Sequence, residues 1–226
     1  MIELKDVTKT YNEGADNAFS AVRNLDLMID TEKVSVLRGP SGSGKTTLLT
    51  LIGGMARPTS GRIHIFDQEV SSLPERFLPQ LRRNTFGFVF QSFNLVHGLS
   101  VMDNVMLPMV PTGRPHGEVY AKAEELLDRF HIRSKASNPV ETLSGGEAQR
   151  TAIARALIND PPVFIADEPT ANLDTGLSRE FIDIVADLKV QRKTVVMTSH
   201  DPLVWESQIV DRVISVRDGQ VEGESS

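Results

Sequence analysis

The sequence predicts an α/β layered fold on two observations. Short β-rich runs alternate with amphipathic helical patterns along 226 residues, and a glycine-rich loop joins one such run to one such helix. Runs 34–37, 86–90, 163–166, 195–197 and 213–216 read as strands. Several are continuously apolar, as parallel strands covered on both faces are. Leu48, Leu51, Ile52 and Met55 make one helical face. Val119, Ala123, Leu126, Leu127 and Phe130 make a second, and Leu177, Phe181, Ile184, Val185 and Leu188 a third. Segment 92–139 differs: it has helical pattern, no convincing strand, and Pro108, Pro111, Gly113 and Pro115 as punctuation. It reads as a helical lobe inserted into a core of 1–91 and 140–226, within one domain spanning 1–226.

Composition narrows the function classes. Apolar residues make up 40% and charged residues 24%, the balance of an ordinary globular protein. A net charge of −6 gives no global case for nucleic-acid binding. The absence of cysteine removes disulfides, thiolate metal sites and cysteine nucleophiles together. The start, Met1-Ile-Glu-Leu-Lys-Asp, lacks the apolar stretch of a signal peptide. No run approaches the roughly 18 apolar residues that span a bilayer. Any membrane role is therefore expected to work through a partner or by surface contact.

Gly39, Pro40, Ser41, Gly42, Ser43, Gly44, Lys45 and Thr46 follow the run 34–37 and lead into a helix that also carries Thr47. This is the strand–loop–helix setting of a phosphate-binding loop. Its glycines let backbone N–H groups turn inward around phosphate oxygens, and the helix N-terminus adds partial positive charge. Lys45 can reach the β- and γ-phosphates, and the Thr46 hydroxyl can ligate Mg²⁺. The four fixed positions of the motif arise by chance in a chain this size on the order of once in a hundred. Alone, the loop indicates a nucleoside triphosphate and little more.

Run 163–166 leads into Asp167 and Glu168, with Pro169 stopping the strand. Asp167 can hold the Mg²⁺ shell, often through water, and Glu168 can polarise an attacking water as general base. Two solvated acids at a strand end are the alternative, and the phosphate loop upstream makes it the lesser one. Leu143-Ser-Gly-Gly-Glu147 precedes a helix with Ala152, Ile153, Ala156 and Leu157 on one face. Ser144 and Glu147 stand at capping-box spacing, and Gly145 and Gly146 leave N–H groups open to an anion. Local physics allows either a well-capped helix or an anion site.

In this order, segment 39–46, Leu143–Glu147, Asp167–Glu168 and His200 resemble the ABC ATPase family over nearly the whole chain. Gln91 matches the family's Q-loop glutamine, Ala171-Asn-Leu-Asp174 its D-loop, and His200 its switch histidine. Tyr11 resembles the aromatic that stacks on adenine. The resemblance implies a P-loop NTPase core of ABC type with an inserted helical subdomain and an N-terminal antiparallel β subdomain. It further implies that Lys45, Gln91, Glu168 and His200 act in ATP hydrolysis. Thr46, Gln91 and Asp167 would hold Mg²⁺, and Ser144, Gly145, Gly146, Glu147 and Asp174 would join the nucleotide site. The family forms head-to-tail dimers, so ATP on the phosphate loop of one subunit would be closed by the signature of another. The implied partners are a second copy of this chain and a membrane-spanning permease, at the cytoplasmic face of the cell membrane.

Segment 86–95 (Phe-Gly-Phe-Val-Phe-Gln-Ser-Phe-Asn-Leu) with Asp103-Asn-Val105 resembles the branch of lipoprotein-release, macrolide-export and cell-division ATPases. The chain ends soon after run 213–216, so no C-terminal regulatory domain is expected. Asn138-Pro-Val-Glu-Thr before the signature is unlike the loop of drug or lipid flippases. A soluble ABC ATPase of iron–sulfur assembly is the alternative. The Pro-punctuated segment 92–139 is too short for the coiled coils of DNA-maintenance members. Two departures stand out: Arg38 directly before the phosphate loop, and Glu147 where glutamine is commoner.

Overall fold

The computed structural model describes residues 1–171 and 173–225. Its elements in chain order are β1 (Ile2–Tyr11), β2 (Phe19–Ile29), β3 (Val34–Arg38), α1 (Lys45–Ile52), β4 (Ser60–Ile65), β5 (Gln68–Glu69), α2 (Leu78–Thr85) and β6 (Phe86–Val89). They continue with α3 (Val101–Met106), α4 (His116–Arg129), α5 (Gly145–Leu157), β7 (Val163–Ala166), α6 (Thr175–Val190), β8 (Thr194–Thr198), α7 (Pro202–Trp205), β9 (Arg212–Arg217) and β10 (Gln220–Ser225).

A central sheet runs β10-β9-β3-β8-β7-β6, parallel except for the antiparallel edge strand β10. Its strands are apolar at successive positions because both faces are covered. Val34, Val36, Phe164, Ala166, Val195 and Met197 face one core, built with α3, α4, α5 and α6. Their neighbours Leu37, Val163, Ile165 and Val196 face the other, where α1 and an antiparallel sheet lie. That second sheet runs β2-β1-β4-β5, with register shifts along β1 between Leu4 and Val7. It was expected from the family resemblance and not from local pattern.

Between β6 and α5 the chain forms α3, α4 and short 3-10 turns. Among the described residues its sole β feature is the bridge Ser100↔Pro139, which with Val101 N–H to Asn138 O (3.0 Å) ties its two ends together. Met55, placed on the first helical face by its spacing, lies beyond α1 and is exposed, because the helix ends at Gly53. Among the described residues no helix is long and apolar enough to cross a membrane.

Candidate active site

Strand β3 ends at Arg38 and the phosphate loop turns directly into α1. Gly39 and Gly44 are required by close backbone approach: a Cβ would drive into the Val216 carbonyl at the first and the Ala21 carbonyl at the second. Gly44, with φ 102°, caps α1 without a side-chain hydrogen bond, so the helix N-terminus is left open toward a cleft of about 320 Å³. Ser41 through Thr47 line this cleft, together with Gln91, Glu168, Ala171 and His200.

Lys45 is nearly buried, and its Nζ donates to Gly39 O at 2.8 Å and Pro40 O at 3.1 Å. Burial pushes its amine below the ordinary lysine value, opposed by the nearby Glu168 and Asp167 carboxylates. Thr46 Oγ1 donates to Asp167 Oδ1 at 3.2 Å. Thr198, at the end of β8, donates to the same Asp167 oxygen at 2.7 Å and accepts from Glu168 N–H at 2.7 Å. The adjacency of β7 and β8 in the sheet makes this possible.

Glu168 sits in the left-handed region at φ 46°, a costly conformation for a residue with a side chain. Its Oε2 accepts from His200 N–H at 3.1 Å. Its Oε1 lies 3.0 Å from His200 Nε2 and 4.0 Å from Lys45 Nζ, ion-pair contacts that leave it buried without a hydrogen bond. Ser43 Oγ is likewise buried and unpartnered. Orphaned polar atoms at a phosphate-binding cradle mark where a ligand would supply the missing partners.

These residues fit an ATP–Mg²⁺ pair. Thr46 and Asp167 present hard oxygen donors side by side, as Mg²⁺ prefers. Among the described residues no group of three or more His, Asp or Glu side chains could hold a metal alone. Phosphate oxygens and water would therefore complete the coordination.

Six other expected residues do not line this cleft. Tyr11 does not line the cleft; it stacks at 5.4 Å behind Phe19, which does. Ser144, Gly145, Gly146 and Glu147 do not line it either. They form the start of α5, where Ser144 Oγ accepts from Glu147 N–H at 3.4 Å and Glu147 Oε2 accepts from Ser144 N–H at 2.9 Å. Asp174 caps α6, accepting from Leu177 N–H at 2.9 Å. Asn172, between Ala171 and Asp174, falls outside the described residues. Arg38 packs its guanidinium on Trp205, 4.8 Å from the ring centre, and donates to Ser215 Oγ at 3.1 Å, a use that no local pattern indicates. Phe19 and Thr198 were also missed. Neither stands in a recognisable spacing, since strand pairing alone brings them to the site.

The sequence model of the ABC transporter family matches residues 22–171. The chain is 41% identical over 225 residues to a macrolide export ATP-binding/permease protein, MacB, of Hyphomonas neptunium, covering 100% of this chain and 34% of that protein. It is 37% identical over 226 residues to a lipoprotein-releasing system ATP-binding protein, LolD 1, of Rhodopseudomonas palustris, covering 99% of each. The chain thus spans about a third of the macrolide exporters it matches. Its structure matches the cassette MJ0796, described as a dimeric bacterial ABC transporter cassette, with TM-score 0.92 and 38% identity, covering 100% of this chain and 98% of that one. A second structure of that cassette is dimeric in a post-hydrolysis state bound to ADP and phosphate.

Proposed function

This chain belongs to the ABC transporter family as an ATP-binding ATPase of the LolD and MacB type, and on that footing we propose that two copies share each ATP head-to-tail and drive a membrane permease. The observation that supports this reading is the separation of two helix starts, one at the phosphate loop and one at the signature. The phosphate loop opens at α1, while the signature residues do not line that cleft and Gly145 reaches a small adjoining pocket beside Gln91, Glu168 and Ala171; a second subunit would place its own signature over the phosphate loop.

Within one site, Lys45 would exchange the carbonyls of Gly39 and Pro40 for β- and γ-phosphate oxygens. Thr46 and Asp167 would hold Mg²⁺, which neutralises charge on the phosphates. Glu168 Oε1, buried and unpartnered, would accept the proton of the attacking water, leaving ADP and phosphate. His200 sits against both Glu168 oxygens and would hold that carboxylate in line. Phe19, backed by Tyr11, would stack on the base.

Coupling would run through the segment after β6. Gln91 lines the nucleotide cleft, and its neighbour Phe90 lines a second groove of about 380 Å³ with Phe86, Phe88, Pro108 and Arg83. A permease segment seated there would touch the same short stretch that touches nucleotide.

Glu168→Gln is expected to convert the chain with ATP and Mg²⁺ from monomer to dimer on sedimentation velocity. A variant that stays monomeric overturns the shared-ATP reading.

A further inference from the structure

We propose that Lys135 is a charge-compensating residue for the signature: its ammonium cancels the Glu147 carboxylate, so that the start of α5 attracts the terminal phosphates of ATP held by a second copy of this chain. The inference rests on the head-to-tail reading above and adds to it a residue from outside the signature.

The argument begins with the charge at position 147. A carboxylate in the first helical turn is favourable to its own helix, because it meets the positive end of the dipole. For a helix start that must receive an anion from elsewhere, the same carboxylate is a defect. It consumes that positive potential and repels the incoming phosphates. The residue is ionised in this setting: the Ser144 N–H, and after it Lys135, hold its carboxyl below the ordinary glutamate range.

Lys135 supplies the correction. It ends the 3-10 turn Arg133–Lys135, between α4 and α5, and its Nζ lies 3.2 Å from Glu147 Oε1. The other carboxylate oxygen is committed to the capping box. Gly145 and Gly146 occupy the first two helical positions, whose N–H groups have no carbonyl four residues back inside the helix to accept from. With the pair neutral, these N–H groups and the helix dipole face an incoming phosphate without a net negative neighbour. A glutamine at position 147 would need no such partner. The pairing thus explains how this chain carries glutamate there.

The test uses the full chain in the Glu168→Gln background and measures the ATP concentration at half-maximal dimer by sedimentation velocity. Lys135→Met is expected to raise that concentration on the order of five-fold, the scale of one partly exposed charge. Lys135→Arg is expected to leave it near the parent. Lys135→Met combined with Glu147→Gln is expected to return it to the parent, although the ion pair is gone. If Lys135 served only to strap the turn to α5, the double variant would stay as weak as Lys135→Met, and that result overturns the proposal. So does a Lys135→Met variant that dimerises like the parent. A parent that never dimerises with ATP removes the head-to-tail reading itself and this inference with it.

Discussion

Thr198 shows how much of the site hangs on one hydroxyl. It accepts from the Glu168 N–H and donates to Asp167, which also receives Thr46. Thr198→Val keeps the shape and removes both bonds. It leaves a partly buried N–H without its partner at the strained Glu168 backbone, at a cost of about 1 kcal/mol. A lowered urea midpoint together with reduced phosphate release is expected, and unchanged turnover would separate this hydroxyl from catalysis. Phe19 makes a different prediction, because it stacks on Tyr11 and lines the cleft while remaining half exposed. Phe19→Ala is expected to weaken ATP binding about three- to ten-fold, the worth of one aromatic contact. Tripolyphosphate, which has no base to stack, is expected to bind as before in a competition titration. Lys45 and Thr46 were legible from spacing, since one loop and one helix turn fix their relation. Thr198 and Phe19 were not, because they reach the site only through strand register.

Strands and helices meet at positions that tolerate little. Gly87 on β6 faces α5 so closely that a Cβ would strike the Ala156 carbonyl. Gly87→Ala is expected to force the strand and helix apart and to cost about 1–3 kcal/mol, read as a lower melting temperature. Asp211 pins the start of β3: its Oδ2 accepts from Val34 N–H at 2.9 Å, and its Oδ1 pairs with Lys189 at 2.9 Å. Partial burial pushes this carboxyl up, but the Val34 N–H, Lys189 and Lys33 outweigh it and hold it below the ordinary aspartate range. The unfolded chain therefore takes up the proton first as pH falls. The stabilisation is complete above the ordinary aspartate value of about 3.9 and is lost as pH drops through the lower folded value. Asp211→Asn is expected to be less stable than the parent at pH 7, and the gap is expected to narrow below about pH 4 in urea titrations. The parallel strands were readable as apolar runs. The antiparallel sheet β2-β1-β4-β5 was not, because its strands are half exposed and broken by bulges, so their pattern is irregular.

Ligand binding and association act on the folded chain as a unit. A nucleotide that binds only the folded state stabilises it by about 2.7 kcal/mol at a hundred times its dissociation constant. ATP with Mg²⁺ is therefore expected to raise the melting temperature in a concentration-dependent way, and Lys45→Ala is expected to abolish the shift. In the Glu168→Gln background the ATP-loaded melting temperature is also expected to rise with protein concentration, as it does when folding is linked to dimerisation. A shift independent of protein concentration would point to a monomeric ATP complex.

The chemistry of the cleft is encoded in short stretches of neighbouring residues. Strand, loop and helix around Gly39 to Thr46 lie within a few peptide bonds, and so do Asp167 with Glu168 and Ser144 with Glu147. Local spacing is enough to specify such groups, because bonded geometry sets their relation. Which of them share a cleft is a matter of chain-distant pairing. The placement of β8 between β3 and β7 brings Thr198 and His200 to Glu168, and β2 brings Phe19 to the phosphate loop. The same packing leaves Ser144–Glu147 out of the lining of that cleft, with Gly145 in an adjoining pocket, and sets Lys135 against Glu147, outcomes that only long-range packing of lobe and core decides.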